Sequence, residues 1–383
     1  VSRSAKSKHA AASAETDVKW MDRALELARR GEALASPNPM VGAVLVRNGR
    51  VVGEGFHAYE GIKHAEIIAL ERAGSKSRGA ALYINLEPCS HHGRTGPCAK
   101  ALIAAGVRRV VAAMRDPNPK VAGRGFRQLR AAGIKVEIGL RQREAQELNE
   151  GFARWITAGL PFLTLKSAVT LDGAIAWPAN SREKSPRWIT SRESRKEVQK
   201  MRHASDAILT GIGTVLADDP LLTDRTKVPR RRPLLRVVLD SRLQLPGRSQ
   251  LVRSAKSDLL VFTATNLNSP KAERLKKAGV EIIKASRERG VLDIRAVLHE
   301  LGRREIQNVM IEAGTAVNSS ALLARVVDKL VIFGTDRIAG PGGKPWAEKR
   351  VAEKLGKLSA LRIQNIGPDY CYTGYLRDVY RDH

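Results

Sequence analysis

Apolar and polar positions follow two rhythms along the chain. Residues Met21 to Leu34 repeat apolar side chains at helical spacing, whereas VGAVLVRNGRVVGEGF alternates with period two on either side of Asn48-Gly49, a pair that favours a tight hairpin. A helix followed by two antiparallel strands is predicted there. The run HAEIIALERAG, with Ile67, Ile68 and Leu70 apolar, fits a helix packed on a sheet, and ALYINLEP is strand-like. CAKALIAAG reads as a further helix with Pro97 at its start, where proline is well tolerated. Strands are expected again at VRRVVAAM and VEIGL, giving a sheet layered with helices.

RQREAQELNEGFARWITAG reads as one helix leading out of this first domain, broken by Gly159-Leu160-Pro161. Beyond it PFLTLKSAVT, DAILTGI, LLRVVLD, DLLVFTA, VEIIKA, NVMIEAG and KLVIFGT form β-branched apolar runs, separated by helical stretches such as SRESRKEVQKMRHAS. That alternation predicts a second α/β domain with a largely parallel sheet. At 383 residues the chain exceeds what one core usually encloses. The expected organisation is a disordered tail over 1–16, small, polar and basic, then domains over 17–157 and 158–383. No internal repeat is evident.

The chemistry concentrates at His64-Ala65-Glu66, Leu86-Glu87-Pro88-Cys89 and Cys98. One imidazole and two thiolates, His64, Cys89 and Cys98, form a zinc ligand set that leaves the fourth tetrahedral position for a water the ion acidifies. Glu66 is left over to shuttle protons. Thiols at helix N-termini lie at the positive end of the backbone dipole, which favours the thiolate. Taken singly, a His is usually an ordinary polar residue and a cytosolic Cys a buried thiol. Together, H-x-E, then P-C, then a second Cys is the signature of zinc deaminases acting on bases. Eight residues, SHHGRTGP, separate the two thiols where two are usual.

A formal net charge of +27 raises nucleic acid as a partner. The basic residues are scattered among acids, as in RLKKAGVEIIKASRERG, and aromatics that could stack bases make up only 4% of the chain, so nucleic acid is not the expected ligand and the excess charge reads as a solvated surface. No apolar run approaches the roughly eighteen residues of a membrane span, and the first residues lack the apolar stretch of a secretory signal. Three cysteines, two of them assigned to metal, offer no disulfide framework; Cys371 reads as a half-buried strand residue. A soluble, cytoplasmic protein is expected.

The string Glu87 to Cys98, EPCSHHGRTGPC, closely resembles the deaminase half of the bifunctional riboflavin biosynthesis enzymes, the pyrimidine deaminase/reductases. Ser36-Pro37-Asn38-Pro39, Val41-Gly42-Ala43-Val44, Gly53-Glu54-Gly55-Phe56-His57 and Gly61-Ile62-Lys63-His64-Ala65-Glu66 agree with the same pattern. In the second domain Gly211-Ile212-Gly213-Thr214 is short and no dinucleotide fingerprint follows the first strand. Yet Lys166 to Gly173, Trp188-Ile189-Thr190, Asp206 to Gly211 and Asp218 to Arg225 resemble the reductase half in order and spacing.

The resemblance implies an α/β protein with an N-terminal cytidine-deaminase-like three-layer domain and a C-terminal dihydrofolate-reductase-like domain that uses NADPH. It implies deamination of a small phosphorylated pyrimidine, followed by reduction of its ribosyl group to ribityl, in a homo-oligomer, dimer or tetramer. Glu66 would serve proton transfer. Asn38, His57, His91, His92 and Arg94 would hold base and phosphate, an exposed-loop role for His91 and His92 remaining open. It places Ala168, Trp188, Thr214, Asp218 and Ser241 near the cofactor, with Gly314, Thr315, Ala316, Val317, Asn318, Ser319 and Ser320 by its phosphates. Arg202, Leu222, Arg225 and Glu312 would contact substrate. Lys166 and Asp172 would line the reacting centre; without the family pattern they read as a strand-edge lysine and a turn aspartate. Two departures stand out: Glu312-Ala313-Gly314 replaces Glu-Gly-Gly, and Pro186 stands where a Ser is usual, with Ser185 beside it. The competing readings are a nucleic-acid base deaminase and a zinc-stabilised RNA-binding protein without catalysis.

Overall fold

The computed structural model describes residues 3–91, 96–179, 188–288 and 290–381. The chain divides into two compact units, residues 1–157 with 229–231, and residues 158–228 with 232–383. Among the described residues no helix is long and apolar enough to cross a membrane.

In the first unit α1 spans Arg3–Arg29, β1 Gly42–Arg47, β2 Arg50–Phe56, α2 Ala65–Ala73, β3 Ala81–Leu86, α3 Cys98–Ala104, β4 Arg109–Met114, α4 Arg124–Ala131, β5 Lys135–Ile138, α5 Gln142–Leu148 and α6 Glu150–Ala158. The sheet order is β2-β1-β3-β4-β5, antiparallel across β2, β1 and β3 and parallel from β3 to β5. Asn48 and Gly49 both take positive φ, as the two-residue hairpin requires. Glycines set how closely helices approach the sheet. A Cβ on Gly42 would lie 2.1 Å from the Ala24 carbonyl oxygen on α1, and one on Gly53 the same distance from that of Ala69 on α2. Because these two strand positions face opposite sides, α1 and α2 cover opposite faces and the unit has three layers.

Two elements differ from the pattern reading. The segment expected to be a disordered tail is part of α1 from residue 3 onward, since AKSKHAAASAE is rich in alanine, the strongest helix former. The single helix expected over RQREAQELNEGFARWITAG is two, with Asn149 between them. The Asn149 side chain accepts from Met40 N at 2.8 Å and donates to Met40 O at 3.1 Å, so a tertiary contact fixes the break.

The second unit holds a nine-stranded sheet in the order 280–284, 259–263, 235–239, 207–211, 308–311, 162–169, 329–334, 369–375, 359–366. The first seven strands are mutually parallel, and 369–375 runs antiparallel to both its neighbours, 329–334 and 359–366. Leu209, Val237 and Val309 enter the core on one face, Ile208, Val238 and Met310 that on the other, which is why these strands are continuously apolar. The chain runs outward from 207–211 to 280–284 and then returns to insert 308–311 between 207–211 and 162–169. That reversal opens a crevice at the carboxyl ends of these central strands, where open α/β sheets bind ligands.

Candidate functional sites in the two units

His64 caps α2 with extended backbone, Cys98 opens α3, and Pro97 is the N-cap of that helix, one position before the first helical turn. Cys89 follows β3. The helices thus deliver their first residues to the end of the central strand. His64 Nδ1 lies 3.2 Å from Cys98 Sγ and 3.5 Å from Cys89 Sγ, and the three ligand atoms lie within 4.8 Å of one another. One imidazole nitrogen and two sulfurs at this separation fit zinc's preference for soft and borderline donors. Cys89 Sγ also accepts from the Cys98 backbone N at 3.3 Å. The Cys98 side-chain hydrogen bond, then His64, hold the Cys89 thiol far below the ordinary range, at about 4, while the anionic neighbour raises Cys98.

Glu66, in the first turn of α2, is only 3% exposed. Burial pushes its carboxyl up to about 7 against the pull of His64. A buried carboxyl beside the ligand set is what proton transfer near neutral pH needs. The His57 ring meets the His64 ring edge-on at 5.4 Å. His57 Nδ1 faces the Lys63 carbonyl at 2.9 Å, which assigns it the proton, leaving Nε2 to accept from Asn38 Nδ2 at 2.9 Å. Asn38 and His57 are thereby brought to the ligand cluster. His91 is exposed; His92 and Arg94 lie outside the described residues.

Glu87 has no role in the sequence reading, yet it holds Cys89 in place. Its buried carboxylate accepts from the backbone N–H of Asp116, Gly123, Gly125 and Phe126, at 3.3, 2.8, 2.9 and 3.3 Å. Asn85 similarly accepts from Gly42 N and donates to Met40 O. An acid directly before Pro88-Cys89 is the only local hint of this.

In the second unit Lys166, on the strand Phe162–Val169, and Arg202, in the last turn of the helix Arg192–Ala204, converge on Glu312 at the end of Asn308–Ile311. Arg202 grips Glu312 at 2.7 and 3.1 Å and Lys166 Nζ stands 3.5 Å away. Burial alone would raise the Glu312 carboxyl, but Lys166 and Arg202 together outweigh it and hold the group at about 2. Glu312 is therefore an ionised carboxylate gathering two cations at the crevice.

Gly314 caps the helix Thr315–Leu323 with no side-chain hydrogen bond. A Cβ there would meet nothing nearer than Lys344 Nζ at 3.7 Å and Thr214 Oγ1 at 3.8 Å. Helix amides beside a hydroxyl and an ammonium suit the phosphates of a dinucleotide. Thr214, expected near the cofactor, is brought beside Gly314; Lys344 escapes the sequence reading because it arrives from a segment 30 residues downstream. Ser241 follows the neighbouring strand Leu235–Leu239, and its carbonyl accepts from Arg287.

The remaining expected site residues are found in the following settings. Leu222 is buried in the core with Val215 and Val238, so only its backbone can face a ligand. Asn318 and Ser319 are buried, Asn318 donating to the Trp346 carbonyl and Ser319 to that of Thr315, while Ala316 is exposed and Val317 and Ser320 are half-buried. Ala168 packs with Val198, Phe333 and Cys371, and Asp218 is exposed at the end of its helix. Trp188 is 51% exposed with Arg195 over its ring, and Arg225 is exposed. Asp172 makes the hydrogen bonds of a turn aspartate, with Thr170 Oγ1 at 2.6 Å the shortest. Ala313 packs against the core; Ser185 and Pro186 lie outside the described residues.

Comparison with known proteins accounts for both units. Residues 14–114 match the cytidine and deoxycytidylate deaminase zinc-binding region, and residues 161–372 the RibD C-terminal domain. The riboflavin biosynthesis protein RibD of Aquifex aeolicus is 39% identical over 357 residues, spanning 93% of this chain and 97% of its own. That of Escherichia coli is 40% identical over 369 residues, spanning 93% and 98%. The solved structure of Acinetobacter baumannii RibD, form 1, has a TM-score of 0.82 at 34% identity, covering 94% of this chain and 99% of that one. The Thermotoga maritima diaminohydroxyphosphoribosylaminopyrimidine deaminase/5-amino-6-(5-phosphoribosylamino)uracil reductase gives 0.78 at 34% identity, covering 94% and 99%. With a zinc deaminase region and a reductase domain matched in one chain, at this identity and over nearly its full length, the protein belongs to the RibD family, the bifunctional zinc-dependent deaminases and NADPH-dependent reductases of riboflavin biosynthesis.

Proposed function

We propose that the first unit deaminates 2,5-diamino-6-(5-phosphoribosylamino)pyrimidin-4(3H)-one and that the second reduces the ribosyl group of 5-amino-6-(5-phosphoribosylamino)uracil to ribityl. The observation that carries the reading is Glu66, buried beside the clustered His64, Cys89 and Cys98 and held near neutrality in its titration. When bound by these three residues, zinc supplies the Lewis acidity that makes water nucleophilic near pH 7, and NADPH supplies hydride in the other unit. Glu66 takes one proton from the attacking water and gives it to the ring nitrogen, then carries the remaining proton from the added hydroxyl to the amine, which leaves as ammonia. Asn38 and His57 hold the pyrimidine edge, and His91, His92 and Arg94, the last two outside the described residues, are the proposed phosphate ligands.

In the reductase, Lys166 faces the reacting sugar carbon while Arg202 and Arg225 address the phosphate. Glu312 holds Lys166 and Arg202 in register. The same reading takes a free small molecule as the ligand, since basic side chains are widely paired with acids across the surface. It also places the enzyme in the cytoplasm, which the three unpaired thiols support. Leu361, Ile363, Tyr370 and Tyr372, exposed on the last two strands of the second sheet, support a homo-oligomer, dimer or tetramer.

Glu66→Gln tests the reading. Ammonia release from the diaminopyrimidine should fall by at least ~10²-fold, the usual worth of a general acid–base. NADPH oxidation with the deaminated pyrimidine should continue at the parent rate. Loss of both activities, or of neither, would contradict two sites with these roles.

A further inference from the structure

Residues 337–348 form a strap across the reductase crevice. On one side Asp172 accepts from Ala339 N at 3.0 Å through Oδ1 and from Gly340 N at 2.8 Å through Oδ2, with Thr170 Oγ1 donating to Oδ1. Leu171 N donates to the Arg337 carbonyl at 2.7 Å, Trp346 N donates to that of Gly173 at 3.2 Å, and Lys344–Pro345 pairs antiparallel with Ala174–Ala176. On the other side Thr315 Oγ1 donates to the Pro345 carbonyl, Asn318 Nδ2 to that of Trp346 at 2.9 Å, and Glu348 N to Ser319 Oγ at 2.9 Å. Gly343 lets the strap lie close: a Cβ there would stand 2.9 Å from the Cβ atoms of Ala174 and Ala339.

The strap therefore joins the turn after the Lys166 strand to the first two turns of the helix Thr315–Leu323. Lys344 sits between these anchorages, its ammonium beside Gly314 and Thr214 Oγ1. Among the described residues no carboxylate lies within ion-pair distance of it. Lys344 is an exposed residue, and an ammonium beside the first amides of a helix is chemically suited to a phosphate.

We infer that Asp172 is a positioning residue of the reductase, latching the 337–348 strap so that Lys344 meets a phosphate of the nicotinamide dinucleotide. This rests on the reading that residues 314–320 receive the cofactor phosphates. Asp172 is poorly suited to donating a proton itself. Its oxygens already accept three hydrogen bonds, and these, led by Thr170, hold the carboxyl at about 2, so it is ionised throughout the neutral range.

The test titrates the full-length zinc-loaded protein with NADPH, following quenching of protein fluorescence, and measures reduction of the deaminated pyrimidine in parallel. Lys344→Ala should weaken NADPH binding about tenfold, as expected for one lost charge-assisted contact, and Lys344→Arg should restore most of it. The KM for the phosphorylated pyrimidine should change less than about twofold on the same scale. Asp172→Asn should weaken NADPH binding in the same direction and speed hydrogen exchange at the amides of 339–345, which Lys344→Ala should leave slow. It should raise the KM for NADPH more than it lowers kcat, keep the shape of the pH profile of reduction, and leave ammonia release by the first unit unchanged, which reports a folded chain.

Unchanged NADPH affinity in Lys344→Ala overturns the inference, as does a loss confined to the pyrimidine phosphate. Loss of one limb of the pH profile in Asp172→Asn, with NADPH binding intact, would make Asp172 a proton donor instead. Gly314→Val separates the two layers of the argument. If it weakens NADPH binding while Lys344→Ala does not, the strap inference fails alone; if neither does, the cofactor reading of residues 314–320 fails with it.

Discussion

Replacing Glu87 by Gln changes one oxygen to an amide group without altering the size of the side chain. The carboxylate is 3% exposed and accepts four backbone N–H groups, two on each oxygen, from the 116–126 segment that leads into α4. The amide NH₂ would face two of these donors, one from the short pair at 2.8–2.9 Å and one from the long pair at 3.3 Å. Each lost bond to a charged acceptor is worth ~1.5–3 kcal/mol, the longer one nearer the lower end or below, so the sum is about 3 kcal/mol. For a unit of this size about 1 kcal/mol moves the melting temperature by ~2–4 °C, so its transition should fall by roughly 6–12 °C. Scanning calorimetry of the zinc-loaded chain reads this directly, with the transition of the second unit as an internal reference that should not move. Zinc should also be lost to a competing chelator sooner, because Glu87 anchors the backbone two residues before Cys89. A shift below about 2 °C with undiminished zinc retention would refute the assignment.

Two further perturbations probe the supports of each site. Gly53→Ala places a methyl 2.1 Å from the Ala69 carbonyl oxygen, forcing α2, and with it His64 and Glu66, off the sheet. Overpacking of this kind costs about 1–3 kcal/mol, so ammonia release should drop while NADPH oxidation on the deaminated pyrimidine persists; an unimpaired deaminase would contradict the packing argument. In the reductase, Glu312 is held at about 2 in the fold against an ordinary 4.5. Its depressed carboxyl contributes stability that is complete above about pH 4.5 and is lost as pH falls through about 2. Denaturant unfolding of the second unit between pH 5 and 2 should show that loss in the parent protein, and Glu312→Gln should flatten it; an identical acid slope in both would remove Glu312 from the ion network.

The metal cluster was legible because each ligand is marked by its own neighbours. His64 sits at a helix start, Cys89 after a strand and Cys98 at the next helix start, so zinc chemistry could be written from local pattern. The strands of the second unit were legible too, since a sheet buried on both faces needs uninterrupted apolar runs. The reductase site was not. Its residues come from separate strands and helices far apart in sequence, and no local glycine motif marks the cofactor. Only the family resemblance named them, and it could not say that the Leu222 side chain enters the core or that Arg202 is clasped by Glu312.

The sequence by itself determined the ligand set and the rhythm of helices and strands, because propensity, capping and apolar periodicity act within a few residues. Tertiary structure alone decided which backbone amides Glu87 satisfies, that Asn149 splits a helix by bonding to Met40, and that Asp172 is turned toward Gly340. Those partners lie 36, 109 and 168 residues away along the chain. A carboxylate or amide carries the same bonding capacity wherever it stands; which donors and acceptors meet it is settled only when the sheets bring distant segments within 3 Å, a choice that no local pattern encodes.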